Sequence, residues 1–503
     1  MLLPLLLLRA GFAWILLLIY LYESLLFGFG IFKNSVKKPR FTFKTALLSL
    51  LSCTLVAWFL FNSIIHSQTP AIFSFLLFDI TTPLIISGIV LLIQPFFVVA
   101  RNIVLQKAKK KMAKYPNIKV IAITGSYGKT STKEFLTTIL AAKFKVLATP
   151  EHKNSEMGIA QTILKDLKPE HGVFIVEMGS YNRGGIKLLC DIVKPHIGIV
   201  TGVNEQHLAT FGSLENLLSA EGGQELVKSL PKGGLILLNG DNTYCLDLYK
   251  KIYNLSGGEL KKNIYTLQKN KIDSDIWTED IVVEKNRISF IARSKDGQLA
   301  HFAVPVLGKH NVQNLLGAIL IAKAMGMSFG EISEACNNIQ QKQAGMTLQK
   351  GIYGINIIDS SYSSNPDGVI ADLDYLNIFG QPASAQGYGR AKKVIVMPCL
   401  IELGSKSIEN HIQIGKKIAQ VCDMAIITTK DRFKEIKMSA VMNGMAENRI
   451  LLCNPAERGY GPLSGPTNSE EILTHITTFC KEGDAVLLEG GRPKELIKLL
   501  YGK

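Results

Sequence analysis

One stretch constrains this chain more than any other: Val120–Leu136, which reads V-I-A-I-T-G-S-Y-G-K-T-S-T-K-E-F-L. Val120, Ile121 and Ile123 form a short β-branched run of the kind that makes a buried strand. A glycine turn follows, and a helix opens at Lys129–Thr130. Strand, turn and helix N-terminus together form a phosphate cradle, because inward N–H groups and the helix dipole both favour negative charge. Thr124, Gly125, Ser126, Tyr127, Gly128, Lys129, Thr130 and Ser131 are the candidate residues of that cradle. Lys129 supplies a charge for the β/γ-phosphates, and the Thr130 hydroxyl is a ligand for Mg²⁺. Ile123 stands where the general G-x-x-x-x-G-K-[ST] pattern has its first glycine, so the cradle is a shortened form. The expected ligand is a nucleoside triphosphate.

The 503 residues are enough for two or three domains with a sizeable core. Eight cysteines are scattered with no C-x-x-C pair, which argues against zinc and against a disulfide framework. The net charge of +15 raises the question of nucleic acid, but its location answers otherwise. Residues 1–114 hold 12 basic and two acidic residues, and most of that charge flanks apolar runs. No nucleic-acid partner is expected.

Three apolar runs, 10–32, 45–66 and 71–100, have spanning length. The basic stretches 33–44 and 101–114 border them, so the positive-inside rule places both in the cytoplasm and the N-terminus outside. On this reading residues 1–114 are a transmembrane region of about three helices in the inner membrane, with membrane lipid as a partner. Glu23 and Asp79 are the acids within the runs.

From Tyr115 the pattern is α/β. Strand-like runs at Val173–Glu177, Ile197–Thr201 and Leu235–Asn239 alternate with helical segments, which implies a mostly parallel sheet. Residues 263–305 read as a small antiparallel insert, and Gly308–Met325 as a helix. A second α/β series holds Ile355–Ile358, Lys393–Met397, Ala425–Thr428 and Ala485–Leu488, with loops at Gln381–Arg390 and Pro455–Asn468. The expected architecture is a P-loop central domain over 115–343 and a Rossmann-like C-terminal domain over 344–503. Glu177 closes a strand at the edge where open α/β sheets bind ligands, so it is a second candidate Mg²⁺ ligand. His207 follows another strand end.

Taken together, the blocks T-G-S-Y-G-K-T-S-T, T-P-E-H-K-N-S-E-M-G, E-M-G, H-L-x-x-F-G-S, L-N-G-D-N, G-K-H-N-V-Q-N, D-S-S-Y-S-S-N-P and I-E-L-G followed by His411 resemble the Mur ligase family. The similarity covers about residues 118–500, and the order of blocks is most like the member that adds D-alanyl-D-alanine to a muramoyl tripeptide. The resemblance implies a ligase that joins a carboxylate and an amine through an acyl phosphate, with ATP and Mg²⁺. It implies that Lys129, Glu177 and His207 are catalytic and that Thr130, Glu177, His207 and Glu221 hold metal. It further implies that His310, Asn311 and Asp359 contact the nucleotide, and that Asn154, Ser155 and Asn365 lie near substrate.

Four departures accompany the likeness. The family's soluble UDP-binding domain is replaced by the apolar N-terminal region. Ser360 and Ser363 stand for an acid and an amide, and Ala344-Gly345 for Gly-Arg. Glu221, expected on a helix, takes the place of a lysine whose carbamate serves as a ligand, with Glu225 the next candidate. A related ligase using another carboxylate, of folylpolyglutamate or peptide-polymer type, is an alternative reading. A non-catalytic, membrane-tethered ATP-binding regulator is another.

Overall fold

The computed structural model describes residues 15, 18–29, 42–66, 71–269, 272–361, 365–380, 390–453, 466–491 and 494–502. The chain divides into two compact units, Met1–Ile103 with Pro455–Gly465, and Val104–Asn454 with Pro466–Lys503. The first unit contains apolar helices at Leu18–Phe29 and Phe43–His66, and most of the helix Ala71–Met112. Within it Tyr20 donates a hydrogen bond of 2.7 Å to Asp79, and Lys44 one of 2.9 Å to Gln94. Pro83 and Pro95 lie inside the long helix.

The expectation of a multi-pass membrane protein is corrected here. Among the described residues one helix, Phe78–Met112, is long and apolar enough to cross a membrane, and the apolar stretches Leu18–Phe29 and Phe43–Phe59 are shorter. The basic loop 33–41, the link 67–70, and the expected loops 381–389 and 454–465 lie outside the described residues. The border expected at 114 also moves. Leu105, Ala108 and Met112 are buried in the core of the second unit, so the last turns of the long helix belong there.

The second unit is built on two sheets. The larger has nine strands in the order β2-β3-β1-β4-β5-β6-β7-β8-β9. Its strands are β1 Lys119–Thr124, β2 Val146–Ala148, β3 Val173–Glu177, β4 Ile197–Val200, β5 Leu235–Asn239, β6 Lys261–Thr266, β7 Ile276–Val283, β8 Ile288–Ser294 and β9 Leu299–Val304. Strands β2 to β7 run parallel, and β7, β8 and β9 are antiparallel. The residues expected to form a small antiparallel insert do pair antiparallel, and they extend the main sheet. The link is β6, whose Tyr265 and Thr266 pair with Ile276 and Trp277.

Alternation within β1 explains why that strand is central. Ile121 and Ile123 enter one core while Val120 and Ala122 enter the other, so both faces are covered. The helix Lys129–Ala141 buries Phe135, Leu136, Ile139 and Leu140 on the first face, packed beside the helix His310–Ala324. The helices Glu156–Asp166 and Gly185–Val193 cover the second.

The smaller sheet has the order β10-β11-β15-β12-β13-β14, with β10 Thr347–Lys350, β11 Asn356–Ser360, β12 Lys393–Met397, β13 Met424–Ile427, β14 Ile450–Leu452 and β15 Ala485–Glu489. All its pairings are parallel except β10 with β11. This is a mixed α/β fold with two mainly parallel sheets. Their C-terminal strand edges supply the site described next.

Candidate active site

The cradle sits where β1 ends. Gly125 has φ 137°, and a Cβ there would stand 2.4 Å from Thr201 Oγ1 and 2.8 Å from the Gly202 carbonyl. Close approach of the loop after β4 therefore requires glycine, whatever the ligand. That loop is pinned by Ser126 N donating to Gly202 O at 2.7 Å. The helix then begins at Lys129 with no side-chain cap, so its first N–H groups face the cleft unsatisfied by side chains.

A cleft of about 530 Å³ opens over these residues. Ser126, Tyr127, Gly128, Lys129, Thr130 and Ser131 line it, together with Asn154, Glu177, His207, His310 and Asn365. Lys129 Nζ folds back onto the carbonyls of Gly125 and Ser126 and lies 3.9 Å from Glu221. Thr130 Oγ1 is 3.1 Å from Glu177 Oε2, and Asn154 donates to the other Glu177 oxygen at 3.0 Å.

Glu221 is buried at 2% exposure in the turn after the helix Leu214–Ser219, not on a helix as expected. Its carboxylate lies 3.0 Å from His207 Nδ1 and 3.1 Å from Ser126 Oγ. From that turn the short side chain reaches Ser126 and His207 without a bridging group. Gly222 makes that turn possible, since a Cβ would meet the Leu218 backbone at 2.4 Å. Burial pushes the Glu221 carboxyl up, but Lys129, His207 and Ser126 together bring it below the ordinary carboxylate range. Glu225 is placed elsewhere. Its oxygens accept from the backbone N–H groups of Gly184 at 2.7 Å and Lys187 at 2.9 Å, capping the helix Gly185–Val193.

Other expected residues divide. Asn365 lines the cleft and also caps the helix Pro366–Leu376, accepting from Gly368 N at 3.0 Å. Ser155 instead caps Glu156–Asp166 and is not among the lining residues. Asn311 is fully buried, donating to Leu307 O at 2.7 Å and accepting from Asn314 at 3.0 Å. It turns into its own helix, and Asn314, three residues on, takes the cleft position. Thr124 is fully buried beneath the cradle. Asp359 lines an adjoining cavity of about 440 Å³ with Thr130, Ser131 and Gly345. Ser363 lies outside the described residues.

Several residues were missed. Lys133 is fully buried with Nζ 3.3 Å from Glu177, and it lies one turn beyond Thr130 on the same helix face, a spacing the sequence did offer. Asp367 lines the cleft and accepts from Asn204 at 2.8 Å, joining the two sheets' loops. Asp372, His152, Tyr181, Gln206 and Gln313 line it too. Away from the cleft, Cys453, Glu471 and His475 bring one potential ligand atom each within 4.8 Å of one another, which cysteine spacing alone did not suggest.

Residues 123–322 match the Mur ligase middle domain family. Among curated relatives, the UDP-N-acetylmuramoyl-tripeptide–D-alanyl-D-alanine ligase of Escherichia coli is 27% identical over 298 residues, 59% of this chain and 61% of that protein. The enzyme of the same name from Bacillus subtilis is 27% identical over 400 residues, 79% of this chain and 78% of that protein. The chain thus spans about three fifths of the first of these relatives and more of the second. Among solved structures, MurF ligase from Thermotoga maritima in complex with ADP matches with TM-score 0.64 at 20% identity, covering 80% of this chain and 83% of that one, a likeness of fold. The family match and these relatives together show that this chain is similar to the Mur ligase family, with residues 123–322 resembling its middle domain.

Proposed function

We propose that this chain is an ATP-dependent ligase of peptidoglycan precursor synthesis that joins an amine, D-alanyl-D-alanine or a close analogue, to the free carboxylate of a UDP-muramoyl tripeptide. Residues 115–343 would bind ATP, and 344–503 would complete the site. One observation carries the reading: a phosphate-type loop and the buried Glu177 carboxylate line one cleft, and the buried Glu221 carboxylate contacts Ser126 and His207 of the same lining. The named relatives support the choice of substrates.

The donor set fits a hard divalent cation, which prefers oxygen ligands. The Thr130 hydroxyl and the Glu177 carboxylate lie side by side, and the Glu221 carboxylate adjoins His207. Bound there, Mg²⁺ would supply positive charge against the phosphate oxygens. The chain's own residues do the rest. Lys129, now held by two loop carbonyls, turns to the phosphates and neutralises their charge. Lys133 and Asn154 fix the Glu177 carboxylate from behind and beside. The Asn204 contacts to Asn365 and Asp367 hold the two sheet edges around the substrates and exclude water.

A substrate carboxylate oxygen attacks the γ-phosphorus and ADP leaves. The amine nitrogen, having shed a proton, attacks the acyl carbon. The carbon–oxygen bond to phosphate then breaks, releasing phosphate and the amide. Mass spectrometry of a reaction with MgATP, UDP-N-acetylmuramoyl-tripeptide and D-alanyl-D-alanine tests this. ADP, phosphate and amide should form in equal amounts. ATP binding without amide, across a panel of amines and carboxylates, would replace the ligase with a regulator.

A further inference from the structure

The far end of the smaller sheet carries a group of side chains that the cleft does not use. Cys453 follows β14, the outermost strand, and its N–H donates to Ile427 O at 3.0 Å, which fixes the thiol at the end of that strand. The helix Pro466–Phe479 covers the sheet beside it. Ile472 and Ile476 of that helix are 3% and 0% exposed, in one apolar core with Cys453, Val394 and Ile426. With those isoleucines turned inward, Glu471 and His475, each one residue earlier, come up along the flank of the helix. They are four residues apart and so lie one above the other, with His475 Nε2 4.0 Å from Glu471 Oε1. Cys453 Sγ joins them, and one atom of each residue lies within 4.8 Å of the other two. Strands β13, β12 and β15 separate β14 from β11, which carries Asp359 and Ser360, and none of the three residues lines either cavity.

A thiol, an imidazole and a carboxylate are all ligands that zinc accepts. Bound tetrahedrally at about 2.0–2.3 Å, such atoms stand roughly 3.3–3.8 Å apart. Cys453 is the fixed member of the group, at 2% exposure. The side chains of His475 and Glu471 are 39% and 57% exposed, so rotating them closes the remaining distance without moving the backbone. Two other chemistries fit the group less well. A reactive thiol needs positive charge beside it, whereas burial and the Glu471 carboxylate push the Cys453 thiol up to about 12. Mg²⁺ and Ca²⁺ are held by oxygen, and only one of these three side chains carries it. Sulfur beside an imidazole favours Zn²⁺.

We propose that Cys453, Glu471 and His475 bind one Zn²⁺, with water in the fourth position on the solvent side. The thiol passes its proton to solvent as the zinc–sulfur bond forms, and nothing is oxidised or reduced. The ion clips the end of β14 to the helix Pro466–Phe479 and closes the chain between residues 453 and 471, a structural role. The site goes beyond the ligase reading and does not rest on it. Cysteine spacing hides it, because only one cysteine takes part and its partners stand four apart on a helix farther along the chain.

Titration of the full chain with Co²⁺, a coloured substitute for Zn²⁺, tests the site. Thiolate-to-cobalt charge transfer gives a near-ultraviolet band that oxygen and nitrogen ligands do not, and no cysteine lines the cleft, so an ion bound there stays silent. The band should saturate at one Co²⁺ per chain, disappear when Zn²⁺ is added and survive an excess of Mg²⁺. Cys453→Ser should abolish it. Because that residue is buried, the exposed partners supply the second arm: His475→Gln and Glu471→Gln should each weaken Co²⁺ binding on the order of tenfold or more, at least the loss seen when an outer-shell partner is removed. A wild type without the band overturns the proposal and leaves a thiol resting on a carboxylate. A band of unchanged affinity in both His475→Gln and Glu471→Gln also overturns it, since another cysteine would then hold the metal. A chain that ligates but gives no band keeps the ligase reading and loses this site; one that gives the band but ligates nothing keeps the site and loses the ligase.

Discussion

Glu221 and Glu489 are both buried glutamates in the same unit, and they could hardly be treated more differently by their surroundings. Glu221 faces Lys129, His207 and Ser126, and these neighbours outweigh desolvation, so its carboxyl falls below the ordinary range. Glu489 faces another acid and a hydroxyl that points to that acid, and its carboxyl rises. Burial pushes both carboxyls up, and the counter-charge decides the sign. The first acid is charged and provided for. The second has no basic side chain beside it among the described residues. Substitutions at the two sites should therefore fail in different ways, and their order of severity is a test of the comparison.

The largest effect is expected at Lys129. It supplies the nearest positive charge to Glu221 and the only lysine of the loop's turn into the helix. Lys129→Ala should abolish amide formation and weaken ATP binding on the order of tenfold or more, as loss of a charge-assisted phosphate contact does. Its circular dichroism and melting profile should remain those of a folded protein. Wild-type turnover in this variant would remove the cradle from the chemistry. Glu221→Gln comes next. It keeps shape and loses charge, so the Mg²⁺ requirement should rise and the rate fall on the order of a hundredfold. Added bicarbonate should leave the wild-type rate unchanged, because a glutamate needs no carbamate. A bicarbonate-dependent rate would show that Glu221 is not the residue that matters.

How much of this was legible in the chain differs by region. The phosphate loop was readable because its geometry is local: a buried strand, a glycine turn and a helix start follow one another without a break. Glu177 was readable because it is the last residue of a strand whose buried run announces its edge. Glu221 was found by its distance from His207, but its turn was not, since the helix Leu214–Ser219 stops two residues short of it and leaves no polar signal. Asp372 lies in A-D-L-D-Y-L, where Asp372 is buried and Asp374 pairs with Lys417 on the surface. No periodicity separates those two aspartates; only the packing of the helix on β15 does. Asn311 and Ser155 were placed in the site because their blocks belong to it, although Asn311 spends its hydrogen bonds on Leu307 and Asn314 and Ser155 on its own helix. The apolar N-terminal runs gave hydropathy and length, and these alone do not make a membrane span.

Glu225 provides the control for Glu221, with a smaller effect of another kind. Its two oxygens cap a helix through the N–H groups of Gly184 and Lys187, and Ser219 donates to it at 3.1 Å. Glu225→Gln should therefore cost about 2–3 kcal/mol of stability, the worth of hydrogen bonds to a buried charge. Chemical denaturation would measure it. The Mg²⁺ requirement should not move. A shifted Mg²⁺ requirement with intact stability would transfer the metal-ligand role from Glu221 to Glu225 and reverse the comparison.

The smallest effect, and the one with opposite sign, belongs to Glu489. The groups that face it are Asp372 and Ser360, with His310 beyond Asp372. Its folded carboxyl holds a proton that the unfolded chain would release near the ordinary glutamate value. The stability it contributes is therefore present below that unfolded value and is lost as pH rises through the raised folded one. Glu489→Gln removes the acid but not its volume, so near neutral pH the variant should be more stable than the wild type by on the order of 1 kcal/mol, the desolvation cost of an unsatisfied buried group. The gap should widen from pH 5 to pH 8 and close in acid. Melting temperatures of both proteins across that range would measure it. A variant that is less stable at every pH would mean that Glu489 has a cation after all, and the contrast with Glu221 would disappear.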